Sequence, residues 1–351
     1  MKHTTLRLGA AAIFAAALAA CSGAAPSITP VVSAPNALRP AATVDLGRSH
    51  VLQITARDRA MAKTFVVKRP RVTYPVFKNP FKALGRPSAS VGYPLDMTCQ
   101  TKQCYVMNAS KAYDVYVSLD GKTCTTESCW GHPEEFLKGL TGSSLAGVIT
   151  QYTGGSASAY TYGGSASVKY PLAYYKTFYL NDLLTILSAA ANHFKAVGLN
   201  AEYHIFLPPG ADTCFDQTSI CYSPDNLSSF AFCAYHTAVL LPNGTPIVFS
   251  VEPWQGATVN VNGRKLYACQ LAYLPKGVNR LDSATASTLS HESFESWSDP
   301  LPNTGWFNAG YGMEIGDVCA YSFMATEKLG NSSYYVQQEY SNTYHGCADT
   351  P

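Results

Sequence analysis

An α+β fold with a mixed sheet and disulfide staples is predicted for this 351-residue chain by three observations. Two long segments carry apolar residues at helical spacing, short alternating runs lie between them, and eleven cysteines leave an even ten once Cys21 is set aside. The order of elements follows from pattern and punctuation. Residues 51–55 and 64–67 read as strands, and the basic, proline-interrupted segment 68–87 as a solvated linker or a contact for anionic lipid or polymer. Residues 115–117 run into Asp120-Gly121, a hairpin signal. Residues 145–152 are a strand candidate, and the glycine- and serine-rich stretch 154–167, with Gly-Gly-Ser-Ala-Ser repeated, reads as a surface loop.

The first long helix is expected over residues 181–197, where Leu183, Leu184, Leu187, Ala190, Ala191 and Phe194 share a face, Asn181 or Asp182 caps the start and Gly198 ends it. Residues 201–207, 230–241 and 246–251 are read as strands. A second helix starts at Asp282 or Ser283 and runs through Trp297, with Pro300 as its boundary.

The N-terminus has its own logic. Lys2, His3 and Arg7 precede an apolar stretch of 13 residues, 8–20, too short to span a bilayer core that needs about 20 residues in a helix. It ends in Leu18-Ala19-Ala20-Cys21, which resembles the lipobox of bacterial lipoproteins. Lipidation of Cys21 is the expectation, and Ser22 in place of aspartate points to the outer membrane of a Gram-negative cell, periplasmic or surface-exposed. The predicted organisation is a signal peptide and lipobox over 1–21, a tether and irregular segment over 22–90, and one domain over 91–351.

Export suits the remaining cysteines, which would pair in an oxidising compartment. Spacing suggests Cys99 with Cys104, Cys124 with Cys129, Cys214 with Cys221, Cys233 with Cys269 and Cys319 with Cys347, although sequence leaves the connectivity open. With a net charge of +2 nothing points to nucleic acid, and the expected partners are the membrane, through Cys21, and envelope or extracellular polypeptide or polymer. No Gly-x-Ser-x-Gly elbow and no phosphate-binding glycine loop occur.

The chemistry concentrates on the second helix. His291 and Glu295 are four residues apart and share a face, with Glu292 rotated about 100° from His291. Two ligands at i and i+4 with an intervening glutamate is the arrangement of a metallopeptidase helix, in which that glutamate takes a proton from water. The second ligand here is a carboxylate, which zinc accepts. Glu314, 19 residues beyond Glu295, is the expected third ligand, as in a thermolysin-like helix, and the implied architecture is zincin-like. Asp317, Asp299 and His236 are candidates for supporting or alternative ligands. Zinc is the expected cofactor, with calcium as the alternative because the region is rich in oxygen donors. His204, Tyr311 and Tyr340 are weaker candidates.

The run from Leu289 to Pro300, together with Gly305-Trp306, Glu314-Ile315-Gly316-Asp317-Val318-Cys319 and Val336-Gln337-Gln338-Glu339-Tyr340-Ser341-Asn342, resembles secreted bacterial proteins with an HExxE-x3-DP signature. These are similar to the plant EXORDIUM-like (phosphate-induced protein) family. Segments around Ile149, Tyr203 to Gly210 and Phe232 to His236 extend the resemblance over residues 140–349. The family's histidine and two glutamates fall on His291, Glu292 and Glu295, while Ser296-Trp297-Ser298 departs from the usual Ala-x-Thr. Two functions follow as expectations: a zinc-dependent, peptidase-like hydrolase, or a non-catalytic envelope-binding protein on the same scaffold.

Overall fold

The structure is a computed structural model that describes residues 51–68, 70–73, 93–171, 177–215, 220–271 and 273–351. The signal peptide, Cys21, the tether to residue 50 and most of the basic segment 68–87 lie outside these residues. Among the described residues no helix is long and apolar enough to cross a membrane.

The main sheet is mixed and eight-stranded. Val51–Gln53, Tyr160–Lys169, Ser110–Ser118, Ala201–Phe206 and Pro246–Glu252 are successive parallel neighbours. Ala234–Leu240 joins antiparallel to Pro246–Glu252, and Val66–Val67 and Arg71–Thr73 both pair antiparallel with its outer side. Val51–Gln53 and Val66–Val67 fall within the runs read as strands, whereas Arg71–Thr73 lies in the segment read as linker. The helix Ala56–Ala62, capped by Thr55 and Asp58, lies between the first two.

Strand residues alternate between two cores, as the period of two requires. Val115, Val117, Tyr203, Ile205, Ile247, Phe249 and Val251 face a core shared with the helix Leu180–Phe194. That helix contributes Leu183, Leu184, Leu187, Ala190 and Ala191, and each leucine so buried is worth roughly 1.5–3 kcal/mol. Its stop is Lys195 at φ 56°, three residues before the expected glycine. On the other face Ala112, Tyr116, Phe206, Ala238 and Val248 meet Ala286, Leu289, Phe294 and Trp297 of the helix Arg280–Ser298.

Three local expectations are corrected. Ser110–Ser118 is parallel to both neighbours, so Asp120-Gly121 closes no hairpin: Asp120 Oδ1 accepts from the Lys122 and Thr123 N–H groups in a local turn, and the chain leaves through the Cys124 loop. Residues 145–152 form two short helices, Ser144–Gly147 and Thr150–Thr153. Short apolar runs do not separate helix from strand. The glycine-rich stretch is largely the strand Tyr160–Lys169, not a loop. Gly163 is there because a Cβ would lie 2.6 Å from the Tyr113 ring, beside an irregularity in pairing at Ala112 and Tyr113.

Five disulfides join the pairs that spacing suggested: Cys99–Cys104, Cys124–Cys129, Cys214–Cys221, Cys233–Cys269 and Cys319–Cys347. Two of them bracket the region described next, since Cys233 starts the segment leading into Ala234–Leu240 and Cys319 ends the short helix Ile315–Cys319.

Candidate metal centre

The helix Arg280–Ser298 begins at Asn279, whose Oδ1 accepts from the N–H groups of Leu281 and Asp282 at 2.8 and 3.2 Å. The cap is thus three residues earlier than Asp282, which instead meets His132 at 3.2 Å. Every residue from Ser283 to Ser298 is buried, which explains why a helix with so little apolar bias is so rich in small hydroxyl side chains. Several turn back on neighbouring backbone: Ser298 Oγ donates to the Phe294 carbonyl and Ser290 Oγ to that of Ser287.

A stripe of residues at spacing four turns this helix into a site. Ser283 Oγ accepts from Tyr335 N at 3.0 Å and Ser287 Oγ from Gln337 N at 3.2 Å, both on the strand Ser332–Gln337. Four helical residues rise about 6 Å and two strand residues about 6.6 Å, so the two ladders stay in step. His291 comes next on the stripe and Glu295 after it.

His291 Nδ1 lies 3.2 Å from Gln337 Oε1. The Gln337 amide nitrogen already donates to the Gly316 carbonyl at 3.1 Å and to Glu339 Oε1 at 3.2 Å, so its oxygen is the acceptor and His291 Nδ1 carries a proton. Nε2 is thereby the atom left to face the site. It stands 3.0 Å from Glu295 Oε1 and 3.9 Å from Asp317 Oδ1.

Glu295 turns its other oxygen to His236. Oε2 is 3.4 Å from His236 Nδ1, which also lies 3.3 Å from Glu292 Oε2. The opposite ring nitrogen, Nε2, is 3.8 Å from Glu314 Oε1, and Glu314 Oε2 is 3.6 Å from Arg71 Nε. Potential ligand atoms of His236, Glu292 and Glu295 all lie within 4.8 Å of one another, and so do those of His291, Glu295 and Asp317. Of the sequence-predicted residues, the structure gathers His291, Glu292, Glu295, Asp317 and His236, and sets Glu314 at the edge between His236 and Arg71. Asp299 is elsewhere engaged: its carboxylate accepts from the N–H groups of Asn303, Thr304 and Gly305 and closes the turn after the helix. Tyr340 donates to Asp96 and Tyr311 is exposed, so neither hydroxyl serves the centre.

Gly316 makes the approach possible. A Cβ there would stand 2.8 Å from His291 Cγ and 2.9 Å from Glu295 Oε1. The short helix it belongs to also sends the Asp317 N–H to Glu295 Oε1 at 3.2 Å, while Asp317 Oδ2 accepts from Glu314 N.

Charge in this dry space is strongly perturbed. Burial opposes a charged imidazole at His291, but the carboxylates of Glu295, Glu292 and Asp317 outweigh it and hold its pKa well above the ordinary value. At His236 burial is likewise overcome, by Glu314, Glu292 and Glu295. Burial would raise Glu295, yet His291 and His236 pull it down to about 2. Glu314 is raised by burial and by Glu295, and Asp317 is raised to about 7 by the same two causes.

The arrangement fits a cation. Nε2 of both histidines, Oε2 of Glu295 and both oxygens of Glu314 are buried with no hydrogen-bond partner among the described residues. Among the described residues these side chains meet one another, Asp317 and Arg71 as ion pairs at 3.0–3.9 Å, and a cation would give each a ligand bond. Around a tetrahedral ion with bonds of about 2.0–2.1 Å, neighbouring donors stand about 3.3 Å apart; His236 Nδ1 is 3.3 and 3.4 Å from the two glutamates, and His291 Nε2 is 3.0 and 3.9 Å from Glu295 and Asp317.

Sequence reasoning missed a polar row on the same sheet face. Arg71, His236, Ser250, His204, Asp114 and Ser165 are register partners on adjacent strands. His204 Nδ1 donates to Ser250 Oγ at 2.9 Å, and Ser250 Oγ donates to Glu252 Oε1 at 2.8 Å. Glu252 is raised to about 8 by burial and by the Glu292 charge. The alternation of these strands was readable, but only their pairing aligns the row. Comparisons with protein-family models, curated proteins and solved structures find no match to this chain.

Proposed function

We propose that the buried His/Glu centre binds zinc and that the protein is a zinc-dependent, peptidase-like hydrolase of the cell envelope. The observation that carries this reading is His291, whose Nδ1 is fixed on Gln337 so that Nε2 is the ring atom turned to Glu295 and Asp317, a ligand once it gives up its proton. Imidazole with carboxylate donors suits zinc, and two imidazoles in one centre speak against calcium, which takes oxygen. His291, Glu295 and Asp317 would hold the ion, with Glu314 at its margin. A bound zinc would supply Lewis acidity toward a substrate carbonyl. Glu292, one residue past His291, is the carboxylate positioned to accept a proton from the attacking water, and His236 Nδ1 beside its Oε2 stabilises the charge it carries. This scaffold is read as zincin-like, with kinship to the EXORDIUM-like proteins.

Location is part of the proposal. Export through the N-terminal signal and a lipid anchor on Cys21 would place the domain in the envelope, and five disulfides are consistent with an oxidising compartment. The test of activity is turnover of a denatured-protein or peptide-library substrate by the zinc-loaded chain, with Glu292→Gln losing at least about a hundredfold, the low end of what a positioned acid–base group contributes.

A second reading is favoured by one observation. His291, Glu292, Glu295, Glu314 and His236 are all 0 % exposed, and closed zinc sites are structural. On this reading the ion ties the helix Arg280–Ser298 to the strand Ala234–Leu240 in a non-catalytic envelope-binding protein. Zinc would then raise the melting temperature, and the loaded chain would cleave nothing.

A further inference from the structure

We infer that the centre holds two metal ions bridged by the carboxylate of Glu295, one on the His291 side and one on the His236 side. The inference rests on the metal-binding reading above and deepens it. Glu295 has its two oxygens in two different ligand groups: Oε1 beside His291 Nε2 at 3.0 Å and Oε2 beside His236 Nδ1 at 3.4 Å. Asp317 completes the first group and Glu292 the second. The groups share no other residue, so a single ion at either one leaves the other imidazole and its carboxylate as a buried ion pair with no metal.

Burial makes that consequence costly. Four carboxylates, Glu292, Glu295, Glu314 and Asp317, face two imidazoles and one guanidinium, Arg71, in a space where these carboxylates are at most 7 % exposed. With neutral imidazoles the four carboxylates and Arg71 sum to −3, so one divalent ion leaves −1 and two leave +1; charge is met about equally well either way, and the two separate ligand groups decide the number. The unpartnered atoms tell the same story from both sides: His291 Nε2 in the first group and Glu295 Oε2 in the second are buried with no hydrogen-bond partner. Two ions held by one bridging carboxylate would stand about 3.5–4 Å apart, the spacing of two-metal hydrolytic sites. Glu292 would then give Oε2 to the second ion. Such a centre suits a substrate whose attacking and leaving oxygen or nitrogen atoms are both stabilised, as in ester, amide or phosphoester hydrolysis.

The test is zinc stoichiometry of the full chain after saturation and removal of loosely held metal, paired with X-ray absorption on the same sample. Two zinc ions per chain with a metal–metal distance of about 3.5–4 Å are expected. His236→Ala should hold one ion, His291→Ala one, and Glu295→Ala neither tightly. One zinc per chain in the wild type, or two with no metal–metal vector, overturns the bridged pair while leaving the metal-binding reading in place. No zinc at all removes both. Because the wild-type spectrum carries the decision, misfolding of a variant does not obscure it.

Discussion

Gln337 Oε1 accepts from His291 Nδ1 at 3.2 Å, and this one hydrogen bond decides which face of the imidazole the centre receives. Gln337 in turn is held by Gly316 and Glu339. Replacing Gln337 by Ala frees the ring to rotate and to change tautomer. Zinc affinity is expected to fall about 10–100-fold, the usual cost of removing an orienting partner, as measured by competition with a chromogenic chelator. Unchanged affinity would remove Gln337 from the site.

Gly316 offers a steric test. Its substitution by Ala places a methyl group 2.8 Å from His291 Cγ and Nδ1, within a helix that has no room to retreat from Glu295. The expected result is a loss of about 1–3 kcal/mol in stability, typical of overpacking, together with loss of metal. Thermal melts with and without zinc read both effects: the zinc-induced increment should vanish in the variant.

The pH dependence of the metal-free protein follows from Glu252. Its folded pKa is about 8 against an ordinary 4.5, because burial, then the Glu292 charge, disfavours ionisation. The folded state therefore keeps a proton that the unfolded chain releases, and this contribution to stability is full below 4.5 and is lost as pH rises through about 8. Melting temperature in chelator should fall from pH 5 to pH 8. Glu252→Gln, which imitates the protonated acid, should flatten that slope and raise stability at pH 8.

Metal uptake is expected to be linked to protons in the opposite sense. Both imidazoles are held protonated in the metal-free centre against the pull of burial, His291 chiefly by Glu295 and His236 chiefly by Glu314. Zinc must displace those protons, so affinity should weaken as pH falls. Calorimetry in buffers of differing ionisation enthalpy counts the protons released, and a count of zero would exclude the imidazoles as ligands.

Part of this centre was legible in the chain because it is local. His291, Glu292 and Glu295 sit on one helix, where a spacing of four fixes a shared face, and Glu314 with Asp317 follows soon after. His236 drew notice only as one histidine in an apolar strand, since its meeting with Glu295 depends on sheet order and helix packing. Arg71 was hidden further still: it reaches Glu314 through antiparallel pairing with His236, from a segment whose proline and basic residues read as linker. The strand Tyr160–Lys169 was read as loop because glycine content signals turns, whereas Gly163 is required by the Tyr113 ring packed on it. Disulfide partners were suggested correctly by spacing because three of the five loops are as short as five or seven residues.

The longer disulfides bear on the site. Cys233–Cys269 closes a sequence separation of 36 and anchors the chain three residues before His236. Removing it by the double Ala replacement should cost about 4 kcal/mol, from loop-closure entropy. Urea unfolding measures that loss, and a cost near zero would show that the strand is held by its sheet partners alone.

The most direct measurement is elemental analysis of the purified full chain, wild type beside His291→Ala, after dialysis against metal-free buffer. Retention of at least one zinc per wild-type chain, reduced in His291→Ala, is the expected result. A wild-type protein that is folded, disulfide-bonded and free of transition metal, and that gains none on exposure to zinc, would contradict the metal centre and leave the carboxylates and imidazoles as a buried ionic network.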